Sequence, residues 1–200
     1  MANANRPSGL SPVRYLNGAP WTGGGNIYCI PSTDNNAFAI GDPLVLAGGA
    51  DGNGVATVTL ATAGATNSVL GPIVSMGGTK YGGALADPTN LNTIVIPATK
   101  AHDYYVLVVD DPMVVFEIQE VGTGTYLTAA EVGNNADLLA GTNNGYVSGW
   151  LLNNVGEGTG ATLQVKLLGL SQRSGNAFGQ YAKWLVKINL HCYSIGQVGY

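Results

Sequence analysis

Ionisable side chains are scarce in this chain, and their scarcity restricts the functions that it can have. The sequence holds 8 Lys and Arg and 12 Asp and Glu among 200 residues, or 10% of the chain, whereas globular domains average about a quarter. Histidine and cysteine, which supply much of the acid–base, nucleophilic and metal chemistry of proteins, occur only twice each. The composition therefore favours a structural or binding role, with part of the surface covered by another protein.

The two cysteines and the short apolar runs exclude further classes of protein. Cys29 and Cys192 lie far apart and match no metal-binding spacing, so we expect two buried, reduced thiols. The first residues contain no apolar segment typical of a secretory leader, and runs such as Val106–Val109 are too short to cross a bilayer. We therefore expect folding in a cytosol-like compartment, with no membrane partner, no metal and no cofactor.

Charge is distributed unevenly along the chain. Every acidic residue falls between Asp34 and Glu157, and that interval contains two bases, Lys80 and Lys100. The sequence pI of 4.9 and the absence of a dense basic cluster argue against a nucleic-acid partner. For the charged ends, simple solvation and docking onto an acidic protein surface both stay open. The bases near the ends are Arg6, Arg14, Lys166, Arg173, Lys183 and Lys187.

Residues 1–25 have the composition of an extended arm rather than of a domain. They contain three prolines and the triplet Gly23-Gly24-Gly25, and show no helical or strand periodicity. They also contain apolar side chains that a disordered tail would not favour. We therefore predict an arm that orders against a partner, and removal of residues 2–24 is expected to leave the following domain folded. The partner-binding residues predicted in the arm are Arg6, Val13, Arg14, Tyr15 and Trp21.

Residues 26–122 alternate short β-type runs with Gly, Asn and Pro, a pattern typical of an all-β barrel or sandwich of short antiparallel strands. Asp51-Gly52-Asn53-Gly54 and Asp110-Asp111-Pro112 separate such runs and favour chain reversal. The strands predicted here are Ile27–Ile30, Ala37–Ala47, Val55–Ala61, Val69–Met76, Thr93–Ile96, Tyr104–Val109 and Val114–Gln119.

Residues 123–200 form a β-rich region that is predicted to complete or flank this core. Strands are predicted at Tyr146–Leu152, Ala161–Leu170 and Lys183–Cys192. The last of these alternates most regularly, so Trp184 and every second residue after it share one face. With the preceding strand it predicts a long hairpin that buries one face and offers the other outward. The partner-binding residues predicted on the hairpin are Arg173, Lys183 and Lys187.

No combination of residues carries a strong catalytic signal. A triad can be written from Ser148, His102 or His191 and an aspartate, as it can for most sequences of this length. The Gly-x-Gly-x-Gly run at 156–160 precedes a predicted strand, whereas a phosphate-binding loop of that type opens a helix. We therefore assign no catalytic residue.

Sugar chemistry leaves one alternative open. Glu117 and Glu120 stand three apart in a predicted strand and face opposite sides, so they cannot flank one glycosidic bond. Aromatic rings can nevertheless stack on a sugar, and Trp21 or Trp150 could serve a carbohydrate-binding module, whereas Trp184 is predicted in the core.

Four segments carry a family resemblance. They are Ala2–Val13 (ANANRPSGLSPV), Ala129–Ala136 (AAEVGNNA), Leu168–Ala177 (LGLSQRSGNA) and Tyr181–Asn189 (YAKWLVKIN). Together they resemble the decoration, or cement, proteins of podovirus-type tailed-phage capsids. The likeness covers both ends and the stretch before the final hairpin, whereas the middle of the chain is similar only in style.

The resemblance implies a protein made in the bacterial cytoplasm that binds the outside of an icosahedral phage head. Its partner would be the major capsid protein, whose mutual contacts it would reinforce. It would also bind copies of itself, with a homotrimer favoured and a homodimer as the alternative. A phage tail or fibre component would share the low charge and the β architecture, and stays open as a second assignment.

Overall fold

The computed structural model describes residues 3–76 and 95–194. They form an all-β architecture, which confirms the predicted fold class, and their one helical segment is a single 3₁₀ turn at Ala129–Glu131. Among these residues no helix has the length and apolar character to span a bilayer. The strands are β1 (Ser11–Tyr15), β2 (Asn26–Ile30), β3 (Phe38–Ala39), β4 (Pro43–Ala50), β5 (Ala56–Leu60), β6 (Gly71–Met76), β7 (Val95–Ile96), β8 (Tyr104–Val108), β9 (Val114–Gln119), β10 (Asn135–Ala136), β11 (Leu138–Leu139), β12 (Leu151–Leu152), β13 (Val165–Leu170) and β14 (Lys183–Ile188).

Five strands close into a barrel in the order β2-β5-β4-β6-β8. Neighbours run antiparallel except β2 and β5, which are parallel at the pair Cys29 and Thr57. The chain reverses at residues 51–54, as predicted. The Asp51 carboxylate stabilises this turn by accepting the backbone N–H groups of Asn53 and Val55. Both cysteines are buried and not disulfide-bonded, as predicted. The buried core of the barrel includes Tyr28, Ile30, Leu44, Val58, Ile73, Val106 and Val108.

A five-stranded antiparallel sheet, in the order β1-β9-β14-β13-β10, packs against the outside of the barrel. β13 and β14 pair as the predicted hairpin, and buried residues alternate with half-buried residues along β14 as predicted. Trp184, Val186 and Ile188 are each 0% exposed on its inner face. The strand ends at Ile188, before the predicted Cys192, because residues 190–192 pair with Val69 instead.

The division of the chain differs from the predicted boundary at residue 122. β9 was expected in the barrel domain, but it lies between β1 and β14 in the second sheet. The predicted strand 146–152 is reduced to β12, because the Asn144 side chain turns the chain by accepting the N–H groups of Tyr146 and Val147. Residues 93–94 of another predicted strand lie outside the described ranges.

The segment predicted as an arm is part of the fold. β1 pairs with β9, and Leu10 is 1% exposed in the core beneath the sheet. The Leu10 N–H donates to the Gly41 carbonyl at 3.0 Å. Gly9 has a φ of +63°, and a Cβ there would lie 2.1 Å from the Gly41 oxygen. Removal of residues 2–24 would therefore uncover this core, contrary to the expectation from sequence.

A buried carboxylate ties the inner face of the sheet together. Glu120 follows β9 and is fully buried. Its Oε1 accepts the Leu127 N–H at 2.8 Å and the Asn154 amide at 3.2 Å, and its Oε2 accepts the Trp184 indole N–H at 3.0 Å. Burial raises the pKa of Glu120, and the hydrogen bonds oppose that rise. Three donors thus offset much of the hydration that the carboxylate loses.

Replacement of Glu120 by Gln should lower the free energy of unfolding by about 2 kcal/mol, because the amide NH₂ cannot accept one of the three N–H groups. A raised folded-state pKa means that the native protein binds more protons than the unfolded chain as the pH rises above the ordinary value of 4.5, so stability falls with pH. The variant lacks this contribution. Between pH 4.5 and pH 8, the free energy of unfolding in urea should therefore fall more for the unmodified protein than for the variant. Equal pH dependence of the two proteins would contradict the assignment.

Gly9 and Gly18 provide a matched pair of tests for the attachment of the N-terminal segment. Both have positive φ, but a Cβ at Gly18 would have no atom within 4 Å. Gly18→Ala should cost about 1 kcal/mol of backbone strain, whereas Gly9→Ala should cost about 3 kcal/mol because a steric clash is added. Thermal or urea unfolding measures both values. Equal losses would show that the contact with Gly41 does not constrain the segment.

Candidate functional site: the basic face of the sheet

The register of the five-stranded sheet aligns bases from both ends of the sequence on its outer face. Directly opposed residues of antiparallel strands share a face. One row of such residues crosses all five strands and consists of Arg14, Val115, Lys187, Lys166 and Asn135. Its three bases, Arg14, Lys187 and Lys166, are called the basic row below.

No acidic side chain in the described part of the chain pairs with the basic row. Lys166 and Lys187 stand directly opposite each other, an arrangement of like charges that destabilises a sheet. The Lys166 ammonium donates to the Gly133 carbonyl at 3.0 Å, and Arg14 Nη1 donates to the Tyr15 carbonyl at 3.2 Å. Within the described ranges none of the three forms an ion pair. No ion pair with a described residue therefore compensates their positive charges.

Three more bases lie at the other end of the same face, around Glu117. Arg173 Nη1 and Lys183 Nζ lie 2.7 and 3.5 Å from its Oε1, and the Ser171 hydroxyl donates to its Oε2 at 2.5 Å. Arg6 is placed there by its backbone N–H, which donates to the Gln119 side chain at 2.7 Å. Glu117 is the only acid in the five strands of the sheet. The basic row together with Arg6, Arg173 and Lys183 is called the basic face.

The structure unites the bases that sequence reasoning assigned to two separate surfaces. Arg6 and Arg14 of the arm lie on the same face as Arg173, Lys183 and Lys187 of the hairpin. Sequence reasoning did not assign Lys166 to a site, although its alternation with apolar residues in β13 indicated an outward position.

The apolar residues of the arm that were predicted to bind a partner do not all lie on the basic face. Tyr15 and Trp21 pack against the core beneath the sheet, so they hold the segment to its own chain. The Trp21 indole donates to the Gly24 carbonyl at 3.0 Å, and its backbone N–H donates to Val13. Val13 itself is 43% exposed and occupies the irregular position where the pairing of β1 with β9 shifts register. Of the three, Val13 is the most available to a partner.

The two histidines do not form a catalytic arrangement with Ser148. His191 is fully buried, and burial lowers its pKa to about 4, so it is neutral at pH 7. His102 is exposed and stacks on Tyr104 with 4.7 Å between ring centroids. The buried Ser148 hydroxyl accepts the Trp150 N–H at 3.1 Å, which is a structural contact. No group of three or more His, Cys, Asp and Glu in the described residues is placed to hold a metal ion.

The residues considered for sugar chemistry are also placed by the fold. Glu117 faces outward and Glu120 inward, as the strand spacing predicted. Trp184 is in the core as predicted, and Trp150 is buried as well. The rings of these two tryptophans are therefore not presented for stacking on a sugar.

No protein-family model, curated protein or solved structure matches this chain. The resemblance to decoration proteins thus stays a prediction.

The opposed lysines of the basic row give a direct measure of its cost to stability. Lys187→Glu should raise the free energy of unfolding by about 0.5 kcal/mol, because it converts a like-charged pair with Lys166 into an opposite-charged pair. Lys187→Gln, which only removes the repulsion, should give a smaller gain. Thermal unfolding at low salt and at 1 M salt should show that the gain shrinks as charges are screened. A loss of stability in both variants would show that Lys187 is not under repulsion.

Proposed function

We propose that the protein is a capsid decoration protein that binds an acidic surface of the major capsid protein on the outside of a phage head. The observation that supports this most is that the fold brings six bases from both ends of the sequence to one face of a sheet whose strands contain a single acid, in a chain whose net charge is −4. A concentrated positive face on an acidic protein orients it toward a negatively charged partner and suppresses wrong encounters.

The cost of the basic row supports a binding role. A sheet selected only for stability would place an acid opposite Lys166 or Lys187, because cross-strand pairs of opposite charge are favourable. Local arrangements that cost stability without local compensation are typical of functional surfaces. The partner would supply the missing negative charge.

Exposed apolar side chains beside the basic row favour a protein as the partner. Val13, Leu16 and Met113 are 43%, 46% and 52% exposed. The Leu16 N–H donates to the Met113 carbonyl at 2.8 Å, and Val13 adjoins Arg14 in the chain, so the three border the same end of the sheet. Protein interfaces combine such apolar contacts with a charged rim. A phosphate backbone offers them no complementary surface.

Self-association would convert modest contacts into stable attachment. A homotrimer, the favoured state, would present three basic faces to neighbouring capsid subunits, with a homodimer as the alternative. After the first face binds, the remaining contacts become intramolecular, so overall affinity exceeds that of each face. Low affinity per copy is then sufficient for a decoration protein.

Neutralising the basic row is the test of the proposal. The triple variant Arg14→Gln, Lys166→Gln, Lys187→Gln should weaken binding to undecorated heads of the phage that carries the coding sequence by about tenfold at moderate salt. Its binding should also depend less on salt than that of the unmodified protein. Tyr146→Ser with Val155→Ser, two exposed loop residues outside the sheet, is the control and should bind normally.

Co-sedimentation with heads measures affinity, and electron cryo-microscopy of the particles gives the position. Density on the outer shell supports the decoration role, and density on the tail supports the tail or fibre alternative. Unchanged binding by the triple variant would remove the basic row from the interface.

A further inference from the structure

A cavity of about 190 Å³ opens at the Glu117 end of the basic face. It lies between the N-terminal segment and the loop that joins β13 to β14, and three of the six bases line it. Arg6 comes from the N-terminal segment, Arg173 from the loop and Lys183 from the start of β14. At about 30 Å³ per water molecule, the space equals that of about six waters, which is sufficient for one acidic side chain.

The walls of this cavity are held by side-chain hydrogen bonds to the backbone. Asn3 donates to the carbonyls of Ala177 and Gln180 at 2.8 and 2.9 Å, and accepts the Ala177 N–H at 3.0 Å. Asn176 donates to the carbonyls of Ser171 and Lys183 and accepts the Lys183 N–H, each at 2.8 Å. The N-terminal segment and the loop are thereby fixed relative to each other. Because the walls of the cavity are already ordered, ligand binding costs little free energy for ordering side chains and loops.

Tyr181, another residue of the cavity wall, has a strained backbone. Its φ is +61°, in the left-handed region that bulky side chains rarely adopt. Its ring lies against Gly122, where an added Cβ would be 2.0 Å from the Tyr181 Cε1. Strained residues of this kind concentrate at ligand sites, where the surrounding structure holds them in place.

The charges of the cavity suit an anion. Arg173 and Lys183 share Glu117, whereas the exposed Arg6 guanidinium forms no ion pair or hydrogen bond with the described residues. Three positive charges against one leave room for a carboxylate bound by the planar guanidinium of Arg6. Glu117 repels a phosphate dianion about twice as strongly as a carboxylate at the same distance, and the planar guanidinium of Arg6 matches the planar carboxylate.

We propose that this cavity, called the carboxylate pocket, binds the side-chain carboxylate of a Glu or Asp on the partner protein. Arg6 is the direct ligand, and Arg173 and Lys183 supply further positive charge. This inference rests on the proposed function for the identity of the partner. The affinity of the pocket for a carboxylate is a property of this chain alone, so the two can fail separately.

The probe is the blocked peptide acetyl-Gly-Glu-Gly-amide, titrated into the ¹⁵N-labelled full-length protein and followed by NMR. The glutamate peptide should shift the Arg6 and Arg173 side-chain signals and the amides of residues 173–183 in a saturable way. The corresponding glutamine peptide should not. Inorganic phosphate, the second control, should bind more weakly than the glutamate peptide.

Two variants with the same chemical change locate the binding. Arg6→Gln should weaken binding of the glutamate peptide about tenfold, which corresponds to the loss of one charged hydrogen-bonded contact. Arg14→Gln removes the same side chain from the basic row of the same face and should leave peptide binding unchanged. Amide spectra of both variants check that the fold is retained.

Each outcome decides the assignment. No saturable shift, equal shifts with the glutamine peptide, or equal losses in the two variants would overturn the carboxylate pocket. Phosphate binding as tight as that of the glutamate peptide would overturn the choice of a carboxylate. Because the probe involves no capsid, failure of the unmodified protein to bind the outer shell of heads would overturn the proposed function and leave the peptide result standing.

Discussion

Burial of one face of the five-stranded sheet against the barrel is the constraint on which the other features depend. Side chains of a strand alternate between faces, so the demand that Trp184, Val186 and Ile188 lie inward sends Lys183 and Lys187 outward. Glu120, fully buried at the end of β9, joins this inner face to the loops through the Trp184 indole and two further donors. The positions of the bases on the outer face are thus a consequence of how the inner face of the sheet packs against the barrel.

The central position of β9 explains how scattered charges become one surface. Val115, which is fully buried in the basic row, is opposed by Arg14 from one end of the sequence and by Lys187 from the other. Glu117, two residues after Val115 in β9, forms ion pairs with Arg173 and Lys183 on the same face. A protein with few charges can therefore present a concentrated field, because sheet order and not sequence proximity decides which bases become neighbours.

Local signals in the sequence were sufficient for the fold class, the final hairpin and the reversal at 51–54, since each depends on alternation or on turn-forming residues. They were insufficient for the partner of each strand. Nothing in the β9 sequence distinguishes a barrel strand from one paired with β1 and β14, and the prolines of residues 1–25 concealed an edge strand. The bases were all visible in the sequence, but their convergence requires pairings more than 100 residues apart, such as Arg14 with Val115.

Both outer strands of the sheet are already occupied along their free sides. The chain folds back after β1, where the Tyr15 N–H donates to Ala19 and the Trp21 N–H to Val13, and Asn135 of β10 is bridged to Gly158. Open strand edges allow chains to polymerise through their backbones, and covered edges prevent it. Copies of the protein are therefore kept from joining edge to edge through this sheet, and a partner that binds the sheet meets the side chains of its face.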